Sequence, residues 1–236
     1  MSPALSLPDL LAALGARRAP AFTWYAADER VELTGSLLAQ WVAKSANLLT
    51  EEVEVGPGST VYLDLPVHWR AFVFTLATWT TGGAVAFRQI DNVDVVISDR
   101  PDMWADTDTE VLALELAPLA REYPGELPAF VIDANAEVMG AADALGPMPR
   151  PTRDDIAVAG PNLRYHDLDE LLAGGTSQRV MIQPANNNEL ARASAAQLLA
   201  GGSIVVIDPA FAHVDCTAVA SQEHATPRAG TPCGDR

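Results

Sequence analysis

Lysine is almost missing from this chain. Of the 15 basic residues in 236, Lys44 alone is lysine and the rest are arginine. Chemistry that needs a lysine to clamp phosphate or attack a carbonyl therefore has one candidate. Cysteine is scarce too: Cys216 and Cys233 stand near the C-terminal end, too few for a disulfide framework. No apolar run reaches the ~18 residues of a membrane span. The opening "MSPALSLPDLLAALGARR" has no basic stretch before its apolar part, so it does not read as a signal peptide, and a cytoplasmic location is expected. There is no G-x-S-x-G elbow. The acidic loop "DRPDMWADTDTE" lacks the ordered oxygen spacing and turn glycine of a calcium loop. His213, Cys216, His224 and Cys233 contain one H-x2-C pair, but the later spacings are too loose for converging zinc ligands, and no metal is expected.

Acid dominates what is present. The formal net charge is −16. A field of that sign repels nucleic acid and anionic lipid, so both are set aside as partners. Hydrophobic residues make up 49% of the chain, enough for a packed globule of one large domain or two small lobes.

Periodicity divides the chain. Leu7, Leu10, Leu11 and Leu14 mark a short amphipathic helix. "FTWY" and "RVELT" flank the turn-like "AADE" and predict a hairpin. Leu37, Leu38, Trp41, Val42, Ser45, Leu48 and Leu49 repeat at about 3.6 residues, with Thr34 or Ser36 able to cap the helix start. Lys44 falls on the flank of this helix away from the Leu/Trp stripe, as a solvated lysine would. "GPG" turns into a strand at 61–65. Pro66 ends that strand, a helix follows over 69–81, Gly82-Gly83 stops it, and strands follow at 84–87 and 93–98. "VLALEL" and "AFVIDA" read as short strands, "LGPMPRPTRDD" at 145–155 as a connector, and 226–236 as a disordered tail.

The order then returns: a hairpin-like stretch from 156, a helix with Leu168, Leu171 and Leu172, the strand "RVMI", Pro184, a helix over 188–200, Gly201-Gly202 and the strand "SIVVID". The spacing from Val61 to Gly82-Gly83 equals that from Val180 to Gly201-Gly202, an offset of 119 residues. The expected fold class is α/β, with two similar lobes at about 20–98 and 130–210 in one domain spanning 1–225, because each sheet needs its faces covered.

"ERVELTGSLLAQWVAKSANLLTEEVEVGPGSTVYLDLPVHWRAFVFTLATWTTGGAVAF" resembles the N-terminal scaffold of the AMP-binding acyl-CoA synthetase and adenylate-forming enzyme superfamily. "GTSQRVMIQPANNNELARASAAQLLAGGSIVVIDP" resembles a later stretch of the same enzymes. The whole chain looks like a family of short bacterial proteins that keep this scaffold in truncated form. The resemblance covers roughly 20–225. It implies a Ser/Thr/Gly phosphate loop with a lysine in the window 135–175, and that window has neither. "AGGTSQR" at 173–179 has the right residue types but reads as a helix stop. Pro184 matches the superfamily's proline, and Asn187 falls where the superfamily has histidine. Its catalytic lysine on a C-terminal subdomain has no counterpart in the given sequence. Arg153, Arg164 and Arg179 are charged alternatives whose spacing shows no convergence.

His68 and Trp69 follow the Pro66 turn, and Asn186 and Asn187 follow the Pro184 turn. Both pairs stand where α/β sheets hold ligands, and they are the candidate ligand-binding residues; packing and helix capping are the bland readings of each. No catalytic residue is assigned. The expectation is a non-catalytic pseudoenzyme that binds a small molecule or protein partner and uses no cofactor; a homodimer is left open. The alternative is a residual or trans-completed AMP-dependent ligase, for which ATP, AMP or acyl-CoA would be the cofactors.

Overall fold

The computed structural model describes residues 7–104, 106–211 and 213–228, with side chains from residue 9 onward. The chain divides into two compact units, one of residues 1–39, 67–69 and 169–236, the other of 40–66 and 70–168.

The elements come in the expected order. Helix α1 (Leu7–Ala16) precedes the hairpin β1 (Pro20–Tyr25) and β2 (Arg30–Thr34). Then come α2 (Gly35–Glu51), β3 (Thr60–Asp64), α3 (Trp69–Thr81), β4 (Ala84–Ala86) and β5 (Val95–Ser98). Thr34 caps α2, its Oγ1 accepting from Leu37 N at 3.2 Å. A middle section holds β6 (Glu110–Ala113), β7 (Val131–Asp133) and α4 (Ala134–Gly140). The second copy runs β8 (Ile156–Val158), β9 (Leu163–Arg164), α5 (Tyr165–Leu171), β10 (Arg179–Ile182), α6 (Asn187–Leu199) and β11 (Ser203–Ile207). Helix α7 (Cys216–Gln222) and β12 (Thr226–Pro227) close it. The stretch read as a disordered tail thus begins with a strand at 226–227, and residues 229–236 lie outside the described residues.

One sheet has the order β12-β10-β11-β1-β2, the other β7-β6-β5-β3-β4-β8-β9. The lobes expected at 20–98 and 130–210 do not coincide with these sheets. The hairpin of the first copy pairs with the strand–helix–strand unit of the second, Phe22 opposite Ile204. The hairpin of the second copy pairs with the unit of the first, Val158 opposite Val85. A two-stranded hairpin is marginal alone and needs a sheet edge to bury one side. Each copy uses the other's edge, and the registers match: Val61 faces Val95 in one sheet as Val180 faces Thr226 in the other. The inner parallel strands β4, β5 and β11 are buried along their whole length, as strands covered on both faces are.

Candidate functional site

Strand β10 and helix α6 border an opening. Pro184 lacks an N–H and cannot extend the ladder, so the chain leaves the sheet after Ile182. Asn186 caps the helix: its Oδ1 accepts from Glu189 N at 2.9 Å, while Glu189 Oε2 accepts from Ala185 N at 2.9 Å. This exchange satisfies donors that a helix start leaves open. Leu190, Ala191 and Ala193–Leu198 are buried, whereas Asn188, Glu189 and Arg192 are exposed. A cavity of about 380 Å³ lies along this face. Gln183, Asn186, Asn188, Glu189, Arg192 and Arg228 give it a polar lining over Ile182 and Ala193. It adjoins the C-terminal end of a parallel strand, a usual place for ligands in α/β sheets.

The four candidate residues do not converge. Asn186 lines the cavity; Asn187 is buried, with 8% exposure, and does not. His68 is 7% exposed, its Nε2 3.7 Å from Glu29 Oε2 and its ring edge-on to Trp24 at 5.3 Å. Trp69 tilts against His68 at 5.7 Å. His68 and Trp69 form an aromatic cluster with Trp24, away from the cavity lining.

The window 135–175 is occupied by ordinary structure. Strands β8 and β9 are joined by the short turn 159–162, in which Gly160 and Asn162 take φ of 93° and 56°. The "AGGTSQR" turn is fastened to α6. Gln197 Nε2 donates to Thr176 O at 2.6 Å and Gln178 O at 2.5 Å, and Gln197 Oε1 accepts from Thr176 N at 3.2 Å. A cradle for phosphate needs free amides, and the Thr176 amide is already engaged.

Lys44 is not the solvated residue its helix position suggested. Its side chain is 19% exposed and meets Asp143 at 3.0 Å. Nζ also donates to Met139 O and Ala141 O at the end of α4. A cation there complements the negative end of the helix. Arg179 is likewise committed: Nη2 reaches Glu223 Oε2 at 2.5 Å and Thr23 Oγ1 at 2.9 Å. Arg164 donates to Asp154 O.

Two polar clusters lay outside the sequence reading. Glu223 accepts from Tyr25, Arg30 and Arg179. Burial raises its pKa, but these bonds outweigh burial and hold the carboxyl below its ordinary value. Asp64, at the end of β3, accepts from Ser98 Oγ at 2.8 Å, Arg100 Nη2 at 2.9 Å and Trp104 Nε1 at 3.0 Å. Long-range contacts of this kind leave no local pattern. Cys216 packs with Met181, Val205 and Ile207 in a core cluster. Among the described residues no group of His, Cys, Asp and Glu is placed to hold a metal ion; Cys233 lies outside them. No helix among them is long and apolar enough to cross a membrane.

This architecture is shared with adenylate-forming enzymes. It is similar to an acyl-CoA synthetase of Brucella canis, with a TM-score of 0.71 and 18% identity over 88% of this chain and 44% of that one. Acetoacetyl-CoA synthetase from Streptomyces lividans gives 0.65 and 21% identity over 86% of this chain and 38% of the enzyme. The chain therefore has the fold of less than half the length of each. No protein-family profile matches it. A Mycobacterium tuberculosis protein described as a TIGR03089 family protein is 32% identical over 218 residues, covering 81% of this chain and 85% of the relative. With that likeness along most of both chains, on an acyl-CoA synthetase-like scaffold, the chain belongs to the TIGR03089 family.

Proposed function

We propose that this protein is a non-catalytic binder on an adenylate-forming scaffold, taking a small polar molecule in the α6 cavity. The observation that carries the reading is the short turn at 159–162, together with the fastened turn at 173–178. The first stands in the window where the superfamily resemblance implies a phosphate loop, and the second crosses the end of that window. In the second, the Thr176 and Gln178 amides are already engaged, which interrupts the run of free amides and hydroxyls that ATP phosphates need. Lys44 supports it, since its charge is engaged at the end of α4. The cavity supports the binding half: it is of small-molecule size and lined by amides and charges rather than by a packed apolar surface.

The test has two parts. ATP–pyrophosphate exchange is measured with fatty, aryl and amino acids, and background rates are expected. Each missing electrostatic group typically costs ~100–1000-fold, so several together leave nothing measurable. A thermal-shift screen of small polar compounds is expected to raise the melting temperature, because a ligand of the folded state stabilises it by mass action. Carboxylate-dependent exchange, abolished by replacing an arginine in 150–180, would instead establish the ligase reading.

A further inference from the structure

We propose that the ligand of the α6 cavity carries an anionic group, a carboxylate or a phosphate, held between Arg192 and Arg228. This rests on the binding reading above and specifies the chemistry of its ligand.

The two cations come from different elements, Arg192 from the second turn of α6 and Arg228 from the residue after β12, and they line one cavity. Among the described residues neither side chain forms a hydrogen bond or an ion pair. The chain has 31 acidic residues and 15 basic ones. Other arginines are committed: Arg30 and Arg179 both meet Glu223, Arg100 meets Asp64, and Arg17 donates to Gly202 O and Pro20 O.

The acid in the cavity does not supply the missing partner. Glu189 points its Oε2 at Ala185 N and closes the helix cap. Two guanidiniums against one carboxylate leave the cavity with net positive charge on a chain of net charge −16. A guanidinium presents a planar fork of N–H donors that matches carboxylate and phosphate oxygens two at a time. Asn188 and the Nδ2 of Asn186 add neutral donors for the rest of the ligand. The backbone of Arg228 is fixed, its N–H donating to Met181 O at 2.9 Å, so its side chain is free to serve the cavity.

The experiment titrates citrate and inorganic pyrophosphate separately into the full chain by calorimetry at low ionic strength. Wild type is compared with Arg192→Gln, Arg228→Gln and, as a control on an exposed loop of the other unit, Arg121→Gln. All three side chains are exposed, and circular dichroism checks that each variant is folded. At least one anion is expected to bind at a single saturable site. Each cavity variant should weaken it by about 10-fold to 100-fold, as loss of a charge-assisted bond does, and the control should not. Which anion binds identifies carboxylate or phosphate as the source. Equal affinity in all four proteins, or no saturable binding of either anion, overturns the proposal. A neutral compound that binds and is weakened by Asn188→Ala would keep the binding reading while ending the anion; binding of nothing in either format ends both.

Discussion

The strand–helix–strand unit around α3 and the unit around α6 share a backbone and differ in what covers them. In both, the first glycine of the pair takes a positive φ, 86° at Gly82 and 79° at Gly201. In both, the second glycine donates to a carbonyl five residues back, Gly83 to Thr78 and Gly202 to Gln197, at 3.0 Å. The next residue then donates to the one before the first strand, Ala84 to Ser59 and Ser203 to Gln178. The flanks diverge. Helix α3 is buried at every residue from Trp69 to Trp79, and its sheet continues through β5, β6 and β7. Helix α6 keeps Asn188, Glu189 and Arg192 exposed, and its sheet stops at the two-residue β12. The closed copy serves packing; the open copy has room for a ligand.

The sharpest way to break the comparison is at the edge strands. Strand β12 stands in its sheet where β5 stands in the other, but it is short and exposed. An ion cluster around the buried Glu223 holds its surroundings: Glu223 accepts from Tyr25 OH, Arg30 Nη2 and Arg179 Nη2, and its own carbonyl accepts from Arg179 Nε at 2.9 Å. The counterpart of Arg179 is Thr60, whose N–H donates to the exposed Asp94 at 2.7 Å. Glu223→Ala leaves two guanidiniums without their acceptor, so a loss of about 3–5 kcal/mol is expected. That corresponds to a melting temperature about 10 °C lower. Asp94→Ala should cost about 1 kcal/mol. Equal losses in urea titrations would show that the cluster does not hold the edge. The pH dependence has a definite sign. The folded pKa of Glu223 is depressed. Its contribution is therefore whole above the unfolded value of about 4.3 and is lost as pH falls through the folded value. Glu223→Gln should flatten that acid limb.

The glycine pair sharpens the comparison at a smaller scale. At Gly202 an added Cβ would lie 2.2 Å from Thr176 O and 2.5 Å from Gln178 O, both backbone atoms. At Gly83 the nearest atom is Val55 Cγ1 at 2.9 Å, and Ser59 O is 3.5 Å away. A valine methyl gives way more readily than a carbonyl. Gly202→Ala should cost about 3 kcal/mol and Gly83→Ala about 1 kcal/mol. The reverse order in thermal melts would mean that the 173–178 turn is not fastened to α6 as described.

The repeat was legible because its landmarks are local. A proline ends a strand, two glycines end a helix, and a period of about 3.6 marks what lies between. The exchange of hairpins was not legible. Which β-unit receives Phe22 is decided by pairing with Ile204, far along the chain, and nothing near Phe22 encodes it. The cavity was half legible. Asn186 stands at a recognisable helix start, but Arg228 sits in a Pro- and Gly-rich stretch that reads as tail, and its strand is formed only by pairing with β10. Helix α4 was missed because it is short. Asp133 caps it by accepting from Asn135 N and Ala136 N, a signal that the apolar "AFVIDA" masks.

The smallest effect concerns an element without a counterpart. Helix α2 has 17 residues and α5 has 7, so the position of Lys44 in the first copy has no helical equivalent in the second. The extra turns carry Lys44 to the end of α4, where Met139 O and Ala141 O accept from it and Asp143 pairs with it at 3.0 Å. Asn47, one turn on, donates to Ala142 O at 3.1 Å and Ala144 O at 2.9 Å. The middle section is thereby bound to a helix that the second copy has shortened. Lys44→Met keeps the stem and removes the charge, so the carbonyls lose a donor and the helix end loses a cation. A cation at such a place contributes about 0.3–1 kcal/mol, and more where it is partly covered. The expected loss is about 1 kcal/mol, seen as a melting temperature ~2–4 °C lower. Ligand binding in the α6 cavity should not change. A variant with unaltered stability but weakened binding would reverse the assignment, making Lys44 a ligand-binding residue rather than a brace for α4.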